Sequence, residues 1–124
     1  MICLTYFKAL ADETRLRLLN ILMHHEMSVN EIVALMDMGQ SRISRHLKVL
    51  TDSGLLECRR DGAWAFYSAI GNNDAGRFSD SIRPLFQSER LLADDLEAAS
   101  HLVTERSIKS RNFFNSIASE WNDL

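Results

Sequence analysis

The segment QSRISRHLKVLTDSGLL occupies residues 40–56 and decides the fold that the sequence predicts. At about 100° per residue, Ile43, Leu47 and Leu50 fall on one narrow apolar stripe. The opposite side carries serine and basic residues, among them Arg45 and Lys48. Arginine can donate two hydrogen bonds to guanine, and serine can bind base edges or phosphate. The pattern therefore predicts a helix that packs on a core with one side and contacts DNA with the other.

The segment before this helix predicts a second helix and a turn. Ser28-Val-Asn-Glu31 has the sequence of a capping box, in which the serine and the glutamate side chains each accept a backbone N–H. Apolar residues follow at helical spacing to about Asp37, and Gly39 is expected to turn the chain. The pair is typical of a helix-turn-helix, and the alternative is an ordinary pair of helices in a bundle.

The residues after this pair predict a β-hairpin. Gly54 is expected to end the helix, and two extended runs then flank Asp61-Gly62, a dipeptide typical of a two-residue hairpin loop. With that loop Arg59 lies opposite Trp64, where the cation can stack on the indole. The other face of the hairpin is expected to contact the core with Leu56, Cys58, Ala65 and Tyr67. A hairpin after a helix-turn-helix predicts a mainly α fold with a small β-hairpin, which is a winged helix-turn-helix.

Three blocks of this sequence resemble the ArsR/SmtB family of winged-helix repressors: residues 7–19, 41–56 and 59–67. The resemblance implies a homodimer that binds a palindromic operator in double-stranded DNA. It also implies release by an inducer, which in this family is commonly a metal or metalloid ion. The residues expected to contact DNA are Gln40, Ser41, Arg42, Ser44, Arg45, His46, Lys48, Arg59, Arg60 and Gly62. For His46 an alternative is a place at the rim of the core.

Composition agrees with a DNA-binding chain despite its acidic balance. The 124 residues carry a net charge of −3, yet basic side chains outnumber acidic ones between residues 40 and 60. Phosphate is contacted by a local patch, so the local sign matters more than the sum. No apolar run is long enough to cross a membrane, and no signal peptide is recognised, so we expect a cytoplasmic protein. No glycine-rich cofactor loop is present, so we expect no enzyme activity, and the sequence identifies no cofactor other than a possible metal or metalloid inducer.

The sequence says little about an inducer site. The stretch before the recognition helix lacks the cysteines that the family resemblance suggests, and Asp94, Asp95, His101 and Glu105 do not match the family's second metal pattern. Two thiols remain as candidate sensors of a metal, a metalloid or an oxidant, namely Cys3 and Cys58. The alternative for Cys58 is a small apolar residue of the core.

The C-terminal third is predicted to be helical, with Pro84 in a first turn. Apolar residues then recur at spacings of a helix that packs on a partner, and a dimer interface is predicted from Leu4, Phe7, Leu92, Leu96, Ala99 and Val103. We expect a DNA-binding and dimerisation domain over residues 1–106 and an amphipathic helical extension over 107–124. The extension, with Phe114 and Trp121, resembles the junction of fusions between ArsR domains and methyltransferases. The alternative function is a winged-helix interaction module that docks a partner protein, such as a separately encoded methyltransferase.

Overall fold

The structure, a computed structural model, describes residues 1–122 and the side chains of residues 1–118. It confirms a mostly helical winged helix-turn-helix. The elements are α1 (Ile2–Ala9), α2 (Glu13–Leu22), β1 (Met27–Ser28), α3 (Val29–Met36), α4 (Gln40–Ser53), β2 (Leu56–Asp61), β3 (Trp64–Ala69), α5 (Asn73–Gln87) and α6 (Arg90–Asn122). Within the described residues, no helix is both long enough and apolar enough to span a membrane.

The capping box starts the helix-turn-helix as predicted. The Ser28 N–H donates to Glu31 Oε1 at 2.9 Å, and the Ser28 hydroxyl accepts from the Glu31 N–H at 3.3 Å. The predicted turning residue was wrong, because Asp37 takes the left-handed conformation with φ 52° while Gly39 is extended with φ −63°. Asp tolerates that conformation better than most side chains, so α3 needs no glycine to end. Gly54, with φ 92°, ends α4 as predicted.

The hairpin forms with a loop one residue later than predicted. Asp61 pairs with Trp64, so Gly62 and Ala63 form the loop, and Arg59 lies opposite Phe66 and not Trp64. Only Gly62 of the two has positive φ, at 62°, which fits a turn with glycine first rather than second. Moving a two-residue loop by one position changes every cross-strand pair. It leaves the two faces of the hairpin unchanged, because both strands alternate with a period of two.

A third strand completes the sheet, which the sequence did not predict. β1 pairs antiparallel with β3, so that Met27 lies opposite Tyr67 and Ser28 opposite Phe66. The sheet order is β1-β3-β2. A strand of two residues is too short to show an alternation of apolar and polar positions. The sheet therefore connects the start of α3 directly to the wing formed by β2 and β3.

The core lies between α2, α3, α4 and the sheet. Its fully buried large side chains are Leu18, Leu19, Ile21, Met27, Ile32, Ile43, Leu47, Leu50, Leu55 and Leu56. The three from α4 form the predicted apolar stripe, so the packing of α4 fixes which side chains it exposes.

The C-terminal part is helical, and the position of Pro84 differs from the prediction. Pro84 lies inside α5, one turn before its end, and not at the start of a helix. The helix α6 packs on α2, where Arg17 donates to both carboxylate oxygens of Asp95 at 2.8 and 2.9 Å, and the Asn20 amide donates to the Leu92 carbonyl. The boundary expected between residues 106 and 107 lies within α6, which continues to Asn122.

Two of the predicted dimer residues are already covered within the single chain. Leu92 is 7% exposed and Ala99 is fully buried in the single chain, so both contribute to the protomer's own core. Leu96 and Val103 are half-buried. The apolar stripe of α6 therefore serves packing within the protomer at Leu92 and Ala99, a use that helical spacing alone does not distinguish from dimerisation.

Candidate nucleic-acid interface

Helix α4 presents a mostly polar side to solvent, with Val49 as its one exposed large apolar residue. Its residues Ile43, Leu47 and Leu50 are completely buried. The exposed side carries Gln40, Ser41, Arg42, Ser44, Arg45 and Lys48. This arrangement matches a recognition helix, whose exposed side chains reach base edges in the major groove.

The basic residues of α4 differ in whether an acidic side chain of the protein already binds them. Lys48 Nζ lies 3.0 Å from Asp52 Oδ2, one helical turn away. Arg42 and Arg45 have no ion-pair partner among the side chains that the structure describes. Their guanidinium groups each offer five N–H donors, so both can form a bidentate contact with a base or a phosphate. The exposed Lys48–Asp52 pair is weak and can be exchanged for a phosphate contact.

His46 lies at the edge of this surface and points toward the protein. Its Nδ1 is 3.3 Å from Arg15 Nη1 and 3.9 Å from Asp12 Oδ1, which places it against the start of α2. Burial lowers the pKa of His46, the Asp12 carboxylate opposes this, and Arg15 and two arginines of α4 lower it further. The predicted place at the rim of the core is therefore the observed one. A neutral His46 adds no charge to the DNA-facing side near pH 7.

The wing separates its two arginines. Arg59 Nη2 lies 2.7 Å from Glu26 Oε1, and its guanidinium stacks 4.8 Å from the centre of the Phe66 ring. The predicted stacking of Arg59 on Trp64 is therefore wrong, and the register shift explains the change of partner. The bond from Arg59 lowers the pKa of Glu26, which keeps the carboxylate charged.

Arg60 occupies the opposite face of the wing from Arg59. It is exposed and has no ion-pair partner in the described part of the chain, and Gly62 is exposed at the tip. A free arginine near a hairpin tip can contact a phosphate, whereas Arg59 would first have to leave Glu26. Of the two wing arginines, Arg60 is thus the better candidate for a DNA contact.

Two ion pairs near the wing and the start of α3 could not be predicted from the sequence. Arg59 and Glu26 are 33 positions apart. Arg106 of α6 donates from Nη1 to both carboxylate oxygens of Glu31 at 3.0 and 2.9 Å across 75 positions. Because Glu31 belongs to the capping box, Arg106 links α6 to the first turn of α3. Such pairs become visible only once the fold brings their elements together.

The candidate sensor residues are not brought together into a metal site within the described chain. Cys3 is exposed on α1, and Cys58 is half-buried in β2 opposite Tyr67. Burial and the neighbouring Cys58 raise the pKa of Tyr67. Among the described residues no group of three or more His, Cys, Asp or Glu side chains could hold a metal ion. Asp95, one of the residues compared with the family's second metal pattern, is bound by Arg17.

The exposed apolar side chains of α1 form a second surface. Leu4 is 49% and Phe7 is 59% exposed. The Phe7 ring contacts Phe78 of α5 edge-on, with 5.3 Å between the ring centres. Of the predicted dimer residues, these two have the most apolar area available to a partner.

Comparison with known proteins places this geometry in a family. Residues 12–57 match the family described as bacterial regulatory protein, arsR family. The chain is 45% identical over 62 residues to the arsenical resistance operon repressor of Escherichia coli, covering 49% of this chain and 53% of that protein. The chain thus spans about half the length of the arsenic-resistance relatives it matches first.

A longer match and a solved structure extend this result. The chain is 43% identical over 99 residues to a probable mercury resistance operon repressor of Streptomyces lividans, covering 80% of this chain and 73% of the relative. A homodimeric winged helix-turn-helix DNA-binding domain of a possible ArsR-family regulator from Mycobacterium bovis superimposes with a TM-score of 0.60 at 30% identity, covering 68% of this chain and 77% of that one. The chain belongs to the ArsR family of bacterial regulatory proteins.

Proposed function

We propose that this protein is a homodimeric transcriptional repressor that binds a palindromic operator and leaves it when an inducer binds. The observation that carries the proposal is the exposed side of α4, where Arg42 and Arg45 have free donors on a helix of a chain from this regulator family. In this proposal α4 enters the major groove and Arg60 contacts the adjacent phosphates. Two protomers related by a two-fold axis then match a palindrome.

The dimer interface is proposed to centre on α1. Leu4 and Phe7 project apolar area that the protomer leaves exposed, and Phe78 supports the Phe7 ring from α5. The favourable free energy of burial grows with the apolar area removed from water, so these exposed side chains can contribute more to a dimer than half-buried ones. Leu96 and Val103 are half-buried and can contribute only their remaining area.

The inducer is proposed to be a thiophilic ion or an oxidant that acts on Cys3. Relatives of this chain are named for arsenic and mercury resistance, and both elements prefer thiolate ligands. Cys3 is exposed on α1, next to the proposed dimer contacts, whereas Cys58 packs beside Tyr67 in the sheet. Cys3→Ser should therefore abolish release by arsenite or mercuric ion and retain DNA binding. Cys58→Ser should leave release unchanged.

Selection from a random duplex library tests the DNA-binding proposal. The expected result is enrichment of a palindrome whose half-sites are about 10 base pairs apart, centre to centre, as two-fold helix-turn-helix dimers require. Sedimentation of the complex should then give two protomers per duplex. Failure to enrich any sequence, with the protein folded, would contradict the proposal. The comparisons give no support to the alternative of a module that docks a separate enzyme.

A further inference from the structure

A groove of about 720 Å³ lies between the wing, the start of α3 and the middle of α6. This volume falls within the roughly 300–1,000 Å³ of sites that hold small molecules. The groove is separate from the exposed side of α4 and from the apolar side chains of α1. A ligand in the groove would touch the wing, the start of α3 and α6 at the same time.

One wall of the groove is aromatic. Trp64 and Phe66 of β3 line it together with Leu102 of α6. The Trp64 side chain is 54% exposed at the edge of the wing, which leaves much of its ring without a protein neighbour. Phe66 is half-buried and carries the Arg59 guanidinium on its ring. An open indole beside a partly buried phenyl ring favours a flat aromatic ligand.

The polar wall has more hydrogen-bond donors than acceptors available. Glu26 is bound by Arg59, and Glu31 by Arg106 and by the Ser28 N–H, so both carboxylates are neutralised. The two guanidinium groups still have unused N–H donors. Lys109 adds an ammonium group that has no ion-pair partner among the described side chains.

Glu105 is the remaining carboxylate of the lining. Like Lys109 it has no ion-pair partner among the side chains described, and it opposes an anion in the groove. Free donors from Lys109 and Arg106 on one side, and an unpaired carboxylate only at Glu105 among the described lining residues, favour a ligand with a single carboxylate.

We propose that this groove binds a small aromatic carboxylate. The ring lies against Trp64, and the carboxylate accepts hydrogen bonds from Lys109 and Arg106. The carboxylate then competes with Glu31 for Arg106, which loosens the link between α6 and the capping box of α3. This last step makes the ligand an effector of DNA binding, and it rests on the function proposed above.

Isothermal titration calorimetry without DNA tests the site itself. Benzoate, naphthalene-2-carboxylate and indole-3-acetate serve as probes, and naphthalene-2-carboxamide as the uncharged control. Saturable binding of at least one acid, tighter for naphthalene-2-carboxylate than for the amide, is the expected result. If none of the three acids binds saturably, or if the amide binds as tightly as the acid, the proposal is wrong.

Matched variants locate the binding. Lys109→Gln should weaken the binding of the best acid about fivefold, the value of one exposed ion pair, and Glu105→Gln should tighten it by a similar or smaller factor. Trp64→Ala should weaken it about tenfold through loss of stacking. Phe113 is an exposed aromatic residue of α6 that does not line the groove, so Phe113→Ala should change nothing. Equal losses for Trp64→Ala and Phe113→Ala would show non-specific binding, and thermal melting of each variant excludes unfolding.

DNA titrations separate the site from its regulatory effect. Fluorescence anisotropy without ligand shows whether the protein binds its selected duplex, and a repeat with saturating acid shows whether affinity falls. If the acid binds in calorimetry but the protein has no affinity for DNA, the proposed function is contradicted and the proposed ligand site stands. Calorimetric binding with unchanged DNA affinity would overturn the effector role. Absent calorimetric binding with intact DNA affinity would overturn the site alone.

Discussion

Replacing Arg45 with alanine should weaken operator binding selectively. Arg45 lies on the exposed side of α4 and has no ion-pair partner among the described residues, so DNA need not break a protein contact to engage it. A bidentate contact with a base contributes about 1–3 kcal/mol of discrimination, which corresponds to about a 5- to 150-fold loss of operator affinity. The buried stripe of α4 is untouched, so the free energy of unfolding should change by less than about 0.5 kcal/mol.

Fluorescence anisotropy on the selected operator and on a scrambled duplex of equal length measures this effect. Arg45→Ala should lower the affinity for the operator and leave the scrambled duplex nearly unchanged. Arg60→Ala is the matched control, because an exposed wing arginine that contacts phosphate should weaken both duplexes equally. That variant should also reduce the slope of log affinity against log salt by about 0.9. An equal loss on both duplexes for Arg45→Ala would refute a base contact, and no loss would remove Arg45 from the interface.

Three further predictions test the fold, the dimer and the pH dependence. Asp95→Asn leaves the mostly buried Arg17 guanidinium without its carboxylate and should lower the free energy of unfolding in urea by about 2–3 kcal/mol. Asp94 is exposed, so the control Asp94→Asn should lower the free energy of unfolding by less than about 0.5 kcal/mol. Similar losses for the two variants would contradict a role of the Arg17–Asp95 pair in stability. Phe7→Glu should sediment as a folded monomer, and a persistent dimer would place the interface elsewhere. Because burial depresses the pKa of His46 in the fold, the unfolded chain binds more protons between that lowered pKa and about pH 6.5, so stability decreases as the pH is lowered through this range. His46→Gln should flatten that fall, and an unchanged slope of stability against pH would refute the role of His46.

The parts of the fold that local chemistry determines could be predicted from the sequence. The capping box at Ser28, the glycine end of α4 at Gly54 and the apolar stripe of α4 each depend on residues within one or two turns. Each of these features also requires a residue type for which few other residues can substitute. The exposed side of α4, and with it most of the candidate DNA surface, follows from the same stripe, because burying one side of a helix leaves the other exposed.

The remaining parts depend on competition between distant elements. Glycine is favourable at either central position of a two-residue hairpin loop, so Gly62 is compatible with a loop at 61–62 or at 62–63. The pairing of the two strands selects the second loop. Likewise the spacing of Leu92 and Ala99 predicted an apolar stripe but not its partner. In the structure both residues are buried within the protomer, where the Arg17–Asp95 pair holds α6 against α2.

The distribution of charge explains how an acidic chain can present a DNA-binding surface. Carboxylates neutralise arginines that lie away from the exposed side of α4, in the pairs Arg17–Asp95, Arg59–Glu26 and Arg106–Glu31. Arg17–Asp95 and Arg106–Glu31 each join two helices, and Arg59–Glu26 joins β2 to the loop before β1, so these acidic residues are held in place by the fold itself. Arg42, Arg45 and Arg60 have no such partner in the part of the chain described. The net charge of −3 is therefore a sum over surfaces of opposite character, and a phosphate approaching α4 meets the basic one.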